Sequence, residues 1–511
     1  MGKFGVKTAP VNVQAPMRST GEILPTHEGG VGYARDAKSE LFLLAVSNMV
    51  KEETFYETGA SRDQRFAELV KAVADADPAW IAGFVPYLRN TMQMRSASVV
   101  AAAEYVAAGG PHGRQVVASA LSRADEPAEI LAYWYQTHGR RTPKPLKRGV
   151  ADATLRLYTE RAVLKYDTGK RAWRMGDVID LTHPKPSTPW QSDLFRLLLD
   201  RRHGYGNEPP ETLPVLRKAA VLDQVPQEER RGWLGRTQEL ADAGITWERL
   251  SAWLGGPMDA AAWEAVIPSM GYMALLRNLR NFEEAGVSGD VLRAVADRLA
   301  DPEQVKISRQ FPIRFMSAWK ATGSMTFGPA LEAACEASVA NIPPLRGSTL
   351  ILVDCSGSMA DYQSGRSQVQ RWEVAALFGC AVAKASEKAD LFAYSNNAAA
   401  MRPGPSILRA AGEFMGWQGA GGGTRTFDVL RHLYAAQDRV IILTDEQAFY
   451  SDAGCSDIPL IYTFNLAGYR PGHLPSGEHG RYTFGGLTDA GFRMLGAIEN
   501  QRDVGWPWDA P

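Results

Sequence analysis

Two spacings of apolar residues divide this chain near residue 345. Before that point apolar positions recur every three or four residues. In "FAELVKAVADADPAWIAGFVPYLRN", Leu69, Val70 and Val73 mark one stripe, and Trp80, Ile81, Phe84, Val85 and Leu88 mark the next. Between them stand Asp77 and Pro78. An acid caps free backbone N–H groups, and proline fits the first turn, where its missing N–H is not needed. The same acid-proline pair returns at Glu126-Pro127 and Asp301-Pro302, and further stripes run through "PAEILAYWYQ", "WERLSAWL", "AAWEAVIPSMGYMALLRNLRNF" and "SGDVLRAVADRLAD". Successive short helices with one apolar face each predict a stacked array of the HEAT kind over residues 31–345, with an irregular all-helical globule as the alternative. Residues 1–30 are rich in Gly, Pro and Thr without apolar period and predict a flexible arm.

After "NIPPLRGST" short apolar runs alternate with helical segments: "TLILVD", a helix through "VQRWEVAALFGCAVAKAS", then "ADLFAYS", "DRVIILTD" and "IPLIYTF". Strand-helix alternation predicts a doubly wound parallel α/β sheet over residues 346–511, with its ligand site at the carboxyl ends of the strands.

Composition changes this picture little. Apolar residues are 45%, charged residues 22% and the net charge is -1, a globular profile that selects no partner. Four scattered cysteines without a CxxC pair argue against a disulfide framework or a zinc cluster and fit a reducing cytoplasm. No apolar signal core follows the N-terminus and no run of about 18 apolar residues could span a bilayer, so no membrane is expected.

The strand-end rim carries the candidate chemistry. "ILVDCSGSM" places Asp354, Ser356 and Ser358 at two-residue spacing where a strand ends, "DRVIILTDEQ" puts Asp445 at the end of another, and "WQGAGGGTRT" presents Thr424 from a glycine loop. A hard dication, Mg²⁺ first, is satisfied by few carboxylates, hydroxyl oxygens and water, with a partner's carboxylate or phosphate completing the shell. An EF-hand would need a terminal Glu, and a P-loop would need Lys where Arg425 stands. The bland reading makes Asp354 a cap and Ser356 a turn former. Arg425 beside Thr424 would weaken a dication unless it points away or pairs with Asp428 or Asp445.

Charge is uneven. Between Gly139 and Lys185 twelve Lys and Arg face five acids, a local +7 that leaves -8 elsewhere. With Tyr158, Tyr166 and Trp173 interleaved, the segment suits single-stranded nucleic acid, since cations hold phosphates and aromatic faces stack on unpaired bases. The candidates are Arg140, Arg141, Lys144, Lys147, Arg148, Lys165, Lys170, Arg171 and Arg174, against the common alternative of a solvated helical face.

"DCSGSM" with its Gly-Gly-Thr loop and strand-terminal Thr-Asp resembles the metal-ion-dependent adhesion site of a von Willebrand factor A domain. "YARDAKSELFLLAVSNMV", "YLRN" and above all "LTHPKPS" resemble the TROVE module of the Ro autoantigen family in its bacterial form. The resemblance implies a ring of HEAT-like helices closed by an A domain, taking single-stranded 3' ends of noncoding RNA within and Y-type RNA outside. It matches Lys165 and His183 to the RNA-entry side, and it implies partnership with a 3'-to-5' exoribonuclease and a monomer. RNA quality control or scaffolding, without enzyme activity, is the expected role. The alternative is a metal-dependent assembly factor that binds an acidic protein ligand and no RNA. Hydrolysis at the metal is least favoured, because no histidine lies near residues 354, 424 or 445 in sequence.

Overall fold

The computed structural model describes residues 13–47, 51–169, 171–206, 208–323, 325–340, 342–362, 368–417, 419–449, 455–477, 479–486, 489–500 and 502–509. The chain separates into two compact units. One comprises Met1–Val73, Val305–Lys320 and Leu331–Pro511, the other Ala74–Gln304 and Ala321–Ala330. This division differs from the expected boundaries at residues 30 and 345, because the N-terminal segment packs with the sheet.

The helical unit follows the apolar stripes. Asp77 caps the helix Pro78–Asn90 by accepting from Trp80 N at 3.2 Å. Arg95–Ala107, Gly113–Ala120, Glu126–Thr137 and Lys144–Leu157 follow across short turns. Gly149 lets the last of these lie against Gly113–Ala120, since a Cβ there would meet Val117 Cβ and Arg114 O, each at 2.6 Å. The stripe 261–282 is two helices, Ala260–Val266 and Tyr272–Glu284, split by a short 3₁₀ turn with Pro268 in its first turn. Buried ionic groups interrupt the apolar core. Glu126, fully buried, accepts from Arg89 Nη2 at 2.8 Å, Ser122 N at 2.6 Å and Arg123 N at 2.9 Å.

The other unit is built on a six-stranded sheet ordered β5-β4-β3-β6-β7-β8. The strands are β3 Leu345–Asp354, β4 Ser386–Tyr394, β5 Ala398–Met401, β6 Arg439–Thr444, β7 Ile461–Asn465 and β8 Arg481–Gly485. All neighbours pair in parallel except β4 with β5. β3 is flanked by β4, which follows it through the buried helix Arg371–Ala385, and by β6 on the other side. That reversal of winding opens a crevice at the carboxyl ends of β3 and β6. The helical-array-plus-α/β class expected from the spacing is the class observed.

The arm is different from the expectation. Residues 1–12 lie outside the described residues, but β1 Ser19–Pro25 and β2 Val31–Arg35 form an antiparallel hairpin. Val13, Ala15 and Met17 are buried, and Tyr33 exchanges backbone hydrogen bonds with Gly472 at 2.7 and 3.0 Å. Arg35 makes a fully buried ion pair with Glu446. Polar residues in the arm find backbone and ionic partners on the sheet unit, so the missing apolar period did not mean a loose chain.

Candidate metal rim and candidate RNA surface

Asp354 ends β3, Ser356 and Ser358 sit in the turn beyond it, and Asp445 immediately follows β6. The glycine loop is pinned beside them. Gly421 N donates to Cys355 O at 2.8 Å, Gly357 N to Gly422 O at 2.9 Å, and Phe449 N to Thr424 O at 2.9 Å. A Cβ at Gly422 would stand 2.6 Å from Asn396 Nδ2, so that amide would have to shift. All five candidate side chains are buried, at 2% exposure or less.

Their polar atoms divide into satisfied and orphaned. Asp354 accepts from Ser356 N at 2.9 Å and from the Thr444 hydroxyl at 2.5 Å, and the Ser356 and Ser358 hydroxyls are 3.4 Å apart. Asp445 Oδ1 accepts from Gln447 N at 3.1 Å. Asp445 Oδ2 and Thr424 Oγ1 are buried with no hydrogen-bond partner among the described residues. A buried orphaned carboxylate oxygen costs free energy unless a proton or a cation reaches it. Burial raises the Asp354 carboxyl against the pull of its hydrogen bonds, and burial, then the charge of Asp354, pushes Asp445 up to about 7. Two close carboxylates with hydroxyls between them fit a hard dication, which would relieve both the repulsion and the orphaned oxygens. Among the described residues no three His, Cys, Asp or Glu side chains cluster as ligands, so the softer ligand sets of zinc are not what this rim offers.

Arg425, the residue that put the site in doubt, turns toward Asp428, with Nη1 4.0 Å from Oδ2 and its side chain half exposed. A buried Arg371 instead acts on Asp445 and favours its charged form. Sequence reasoning also missed His27 and Tyr56. Thr26 donates to Ala448 O at 2.8 Å and His27 N to Gln447 Oε1 at 2.9 Å, which fixes the hairpin turn against the loop after Asp445. The His27 ring stacks on Tyr56 at 4.7 Å, and both Ser358 and Asp445 act on the Tyr56 phenol. The expectation of no nearby histidine held along the sequence only; the hairpin brings His27 within one ring of the rim.

The basic candidates fall into several settings. Lys165 and Arg171, both exposed, converge on Tyr166 with Arg123, which sequence reading did not single out. Their cationic groups lie 5.4, 5.8 and 5.5 Å from the ring centroid, in that order. Arg140 and Arg141 are exposed in the turn before Lys144–Leu157. On that helix Lys144 and Arg148 are exposed and Lys147 is half-buried. Arg174 is committed elsewhere, because it pairs with buried Asp167 at 2.8 Å and begins the helix Met175–Thr182. It is better read as a structural residue than as a free phosphate ligand. His183 closes that helix at φ 46° with its side chain exposed. Lys170 lies outside the described residues.

The TROVE domain family matches residues 240–327. The telomerase protein component 1 of Mus musculus is 40% identical over 75 residues, 14% of this chain and 3% of that protein. The RNA-binding protein RO60 of Deinococcus radiodurans is 26% identical over 261 residues, 45% of this chain and 44% of that protein. The chain thus spans less than half the length of these curated relatives. The crystal structure of the Deinococcus radiodurans RO (RSR) protein superposes with a TM-score of 0.62 at 17% identity, over 91% of this chain and 100% of that one, and shares its fold.

Proposed function

We propose that this chain, a bacterial-type Ro/TROVE protein, binds RNA through its helical unit and holds a divalent cation at the strand-end rim of its A domain. The observation that carries the RNA reading is the Tyr166 cluster. Cation-π contacts hold three long side chains in place, so their charges are assembled before a phosphate arrives and less rotamer freedom is lost on binding. Asp125, 3.2 Å from Arg123 and 3.7 Å from Arg171, orients two of them but leaves an excess of positive charge. Phosphate contacts carry no base information, so shape and an unpaired 3' tail would select the RNA, Y-type RNA among others.

At the rim, Asp354, Ser356, Ser358, Thr424 and Asp445 would hold Mg²⁺, directly or through water. The cation would supply a positive centre for an acidic protein ligand, such as a carboxylate of an exoribonuclease partner. The orphaned atoms of Thr424 and Asp445 support a second reading, a metal-dependent assembly factor without RNA.

A salt titration of tailed and blunt RNAs against wild type, Lys165→Glu and Asp354→Ala decides between them. Binding with a steep salt slope, a preference for the tailed form, and a slope lower by about one unit in Lys165→Glu are expected, with Asp354→Ala unchanged. Equal affinity for both RNAs and an unaltered slope would overturn the RNA reading.

A further inference from the structure

Three guanidiniums converge on one carboxylate oxygen in the helical unit. Arg95 Nη2 stands 3.0 Å from Asp125 Oδ2, Arg123 Nη2 3.2 Å and Arg171 Nη2 3.7 Å, while Asp125 Oδ1 is buried with no hydrogen-bond partner among the described residues. The inner charges are matched without Asp125. Arg89 and Arg95 pair with Glu126 at 2.8 and 3.2 Å, Arg95 pairs with Glu129 as well, and Arg174 pairs with Asp167 at 2.8 Å. What remains around the Tyr166 ring is Arg123, Lys165 and Arg171, three cations against the one carboxylate of Asp125, an excess of two positive charges. We infer that this cluster takes a terminal phosphate monoester of single-stranded RNA in preference to a phosphodiester of the RNA backbone. The inference rests on the reading of the cluster as an RNA contact and names the group that the contact selects.

Three features argue that the cluster is assembled for an anion. First, its cations come from three stretches of chain. Arg123 stands in the turn before the helix Glu126–Thr137, Lys165 lies on the helix Glu160–Tyr166, and Arg171 lies in a turn where its N donates to Thr168 O at 3.1 Å. Folding thus gathers like charges against their mutual repulsion. Second, Arg123 and Arg171 approach the same oxygen, so a single phosphate group can reach both, and their side chains stay 42% and 38% exposed. Third, Asp125 serves them poorly. Its Oδ1 takes no donor, and its Oδ2 lies beyond hydrogen-bond reach of Arg171, which therefore gains charge from the pair but no bond.

A backbone phosphodiester brings one negative charge and two unesterified oxygens. A terminal monoester brings about 1.5 to 2 charges at neutral pH and three such oxygens. Guanidiniums hold phosphate oxygens through paired N–H donors, and an ammonium acts as a compact point charge, so two arginines and a lysine suit the fuller group. The second charge of the monoester then meets a cation that Asp125 has not offset. A 3'-phosphate and a 5'-phosphate present the same chemistry, and only the position of the end distinguishes them.

The test is fluorescence anisotropy of the full chain with a single-stranded RNA of one sequence, ending in a 3'-hydroxyl, a 3'-phosphate, a 5'-phosphate or a 2',3'-cyclic phosphate. A monoester at one end should tighten binding about tenfold over the hydroxyl form, as one further charge held at a partly screened surface would do, and the end that responds identifies the source. The cyclic form has one charge and should bind as the hydroxyl form does. Arg171→Gln and Lys165→Gln should remove most of the preference, with circular dichroism melts reporting their folding separately. Equal binding of the monoester and hydroxyl forms by wild type, or a preference that both variants keep, would overturn the inference and leave RNA binding in place. A cyclic form bound as tightly as the monoester would also overturn it, because charge would then not be the selector. Wild type that binds none of the four RNAs would overturn both readings.

Discussion

The Thr444 hydroxyl donates to Asp354 Oδ2 at 2.5 Å across the carboxyl ends of β3 and β6. The same hydroxyl accepts from Glu446 N at 3.0 Å, so one threonine latches the two central strands and aims the carboxylate at the crevice. Thr444→Val keeps the shape and removes the donor. A buried carboxylate left short of a donor costs about 1–3 kcal/mol, and that loss is the expected result of urea unfolding in chelator. Mg²⁺ should restore part of it, if the cation takes over the freed oxygen.

Asp445 gives a pH signature. Its carboxyl is raised from the ordinary 3.8 to about 7 in the folded chain, first by burial and then by Asp354. Between those values the folded state binds more protons than the unfolded one, so its contribution to stability falls as pH rises. Melting temperature in chelator should therefore drop from pH 5 toward pH 8 more steeply in wild type than in Asp445→Asn. Excess Mg²⁺ should flatten the wild-type trend, because the cation replaces the proton, and its affinity should climb through the same window. Parallel pH profiles for the two proteins would reject the assignment.

In the helical unit, Arg89 and Glu126 offer a test of fold rather than function. A buried charge left wholly unmatched costs about 3–5 kcal/mol, but Glu126 keeps Arg95 Nε at 3.2 Å as a second cationic partner, so Arg89→Ala should lower the denaturation midpoint by less than that. Arg89→Met with Glu126→Leu should cost less than the single change, although Ser122 and Arg123 would lose the acceptor for their backbone N–H groups.

What could be read from the sequence had short-range grammar. Asp77-Pro78 started a helix as its chemistry demands, and "TLILVD" and "DRVIILTD" ended in acids on one rim because parallel strands share a carboxyl edge. What could not be read depends on distant pairings. β1 carries no alternation that marks a buried face and is mostly exposed, yet its hairpin is fixed by Arg35 to Glu446 over 411 positions. His27 comes to stack on Tyr56, beside the rim, only through that docking. β5 is a four-residue run of "AAAM", too short and too weakly β-forming to announce an edge strand. The count of +7 was right about charge but blind to commitment: Arg174 is spent on Asp167, and Arg156 donates to Ala118 O and Leu121 O at 2.8 and 2.7 Å.

The Tyr166 cluster separates geometry from charge. If the ring acts by holding Arg123, Lys165 and Arg171 in register, Tyr166→Leu leaves every charge in place while releasing three side chains. Cation-π contacts at such sites contribute about 0.5–1 kcal/mol each, so single-stranded RNA affinity should fall roughly tenfold with the log-log salt slope nearly unchanged. Arg123→Gln removes one charge and should lower the slope by about one unit, provided Arg123 meets a phosphate rather than only Asp125. The two variants thus change different features of one titration, intercept in the first and slope in the second. If Tyr166→Leu binds RNA as wild type does, the ring is packing alone. If both variants lower only the slope, the cluster is a diffuse basic surface and the preassembled phosphate site is rejected.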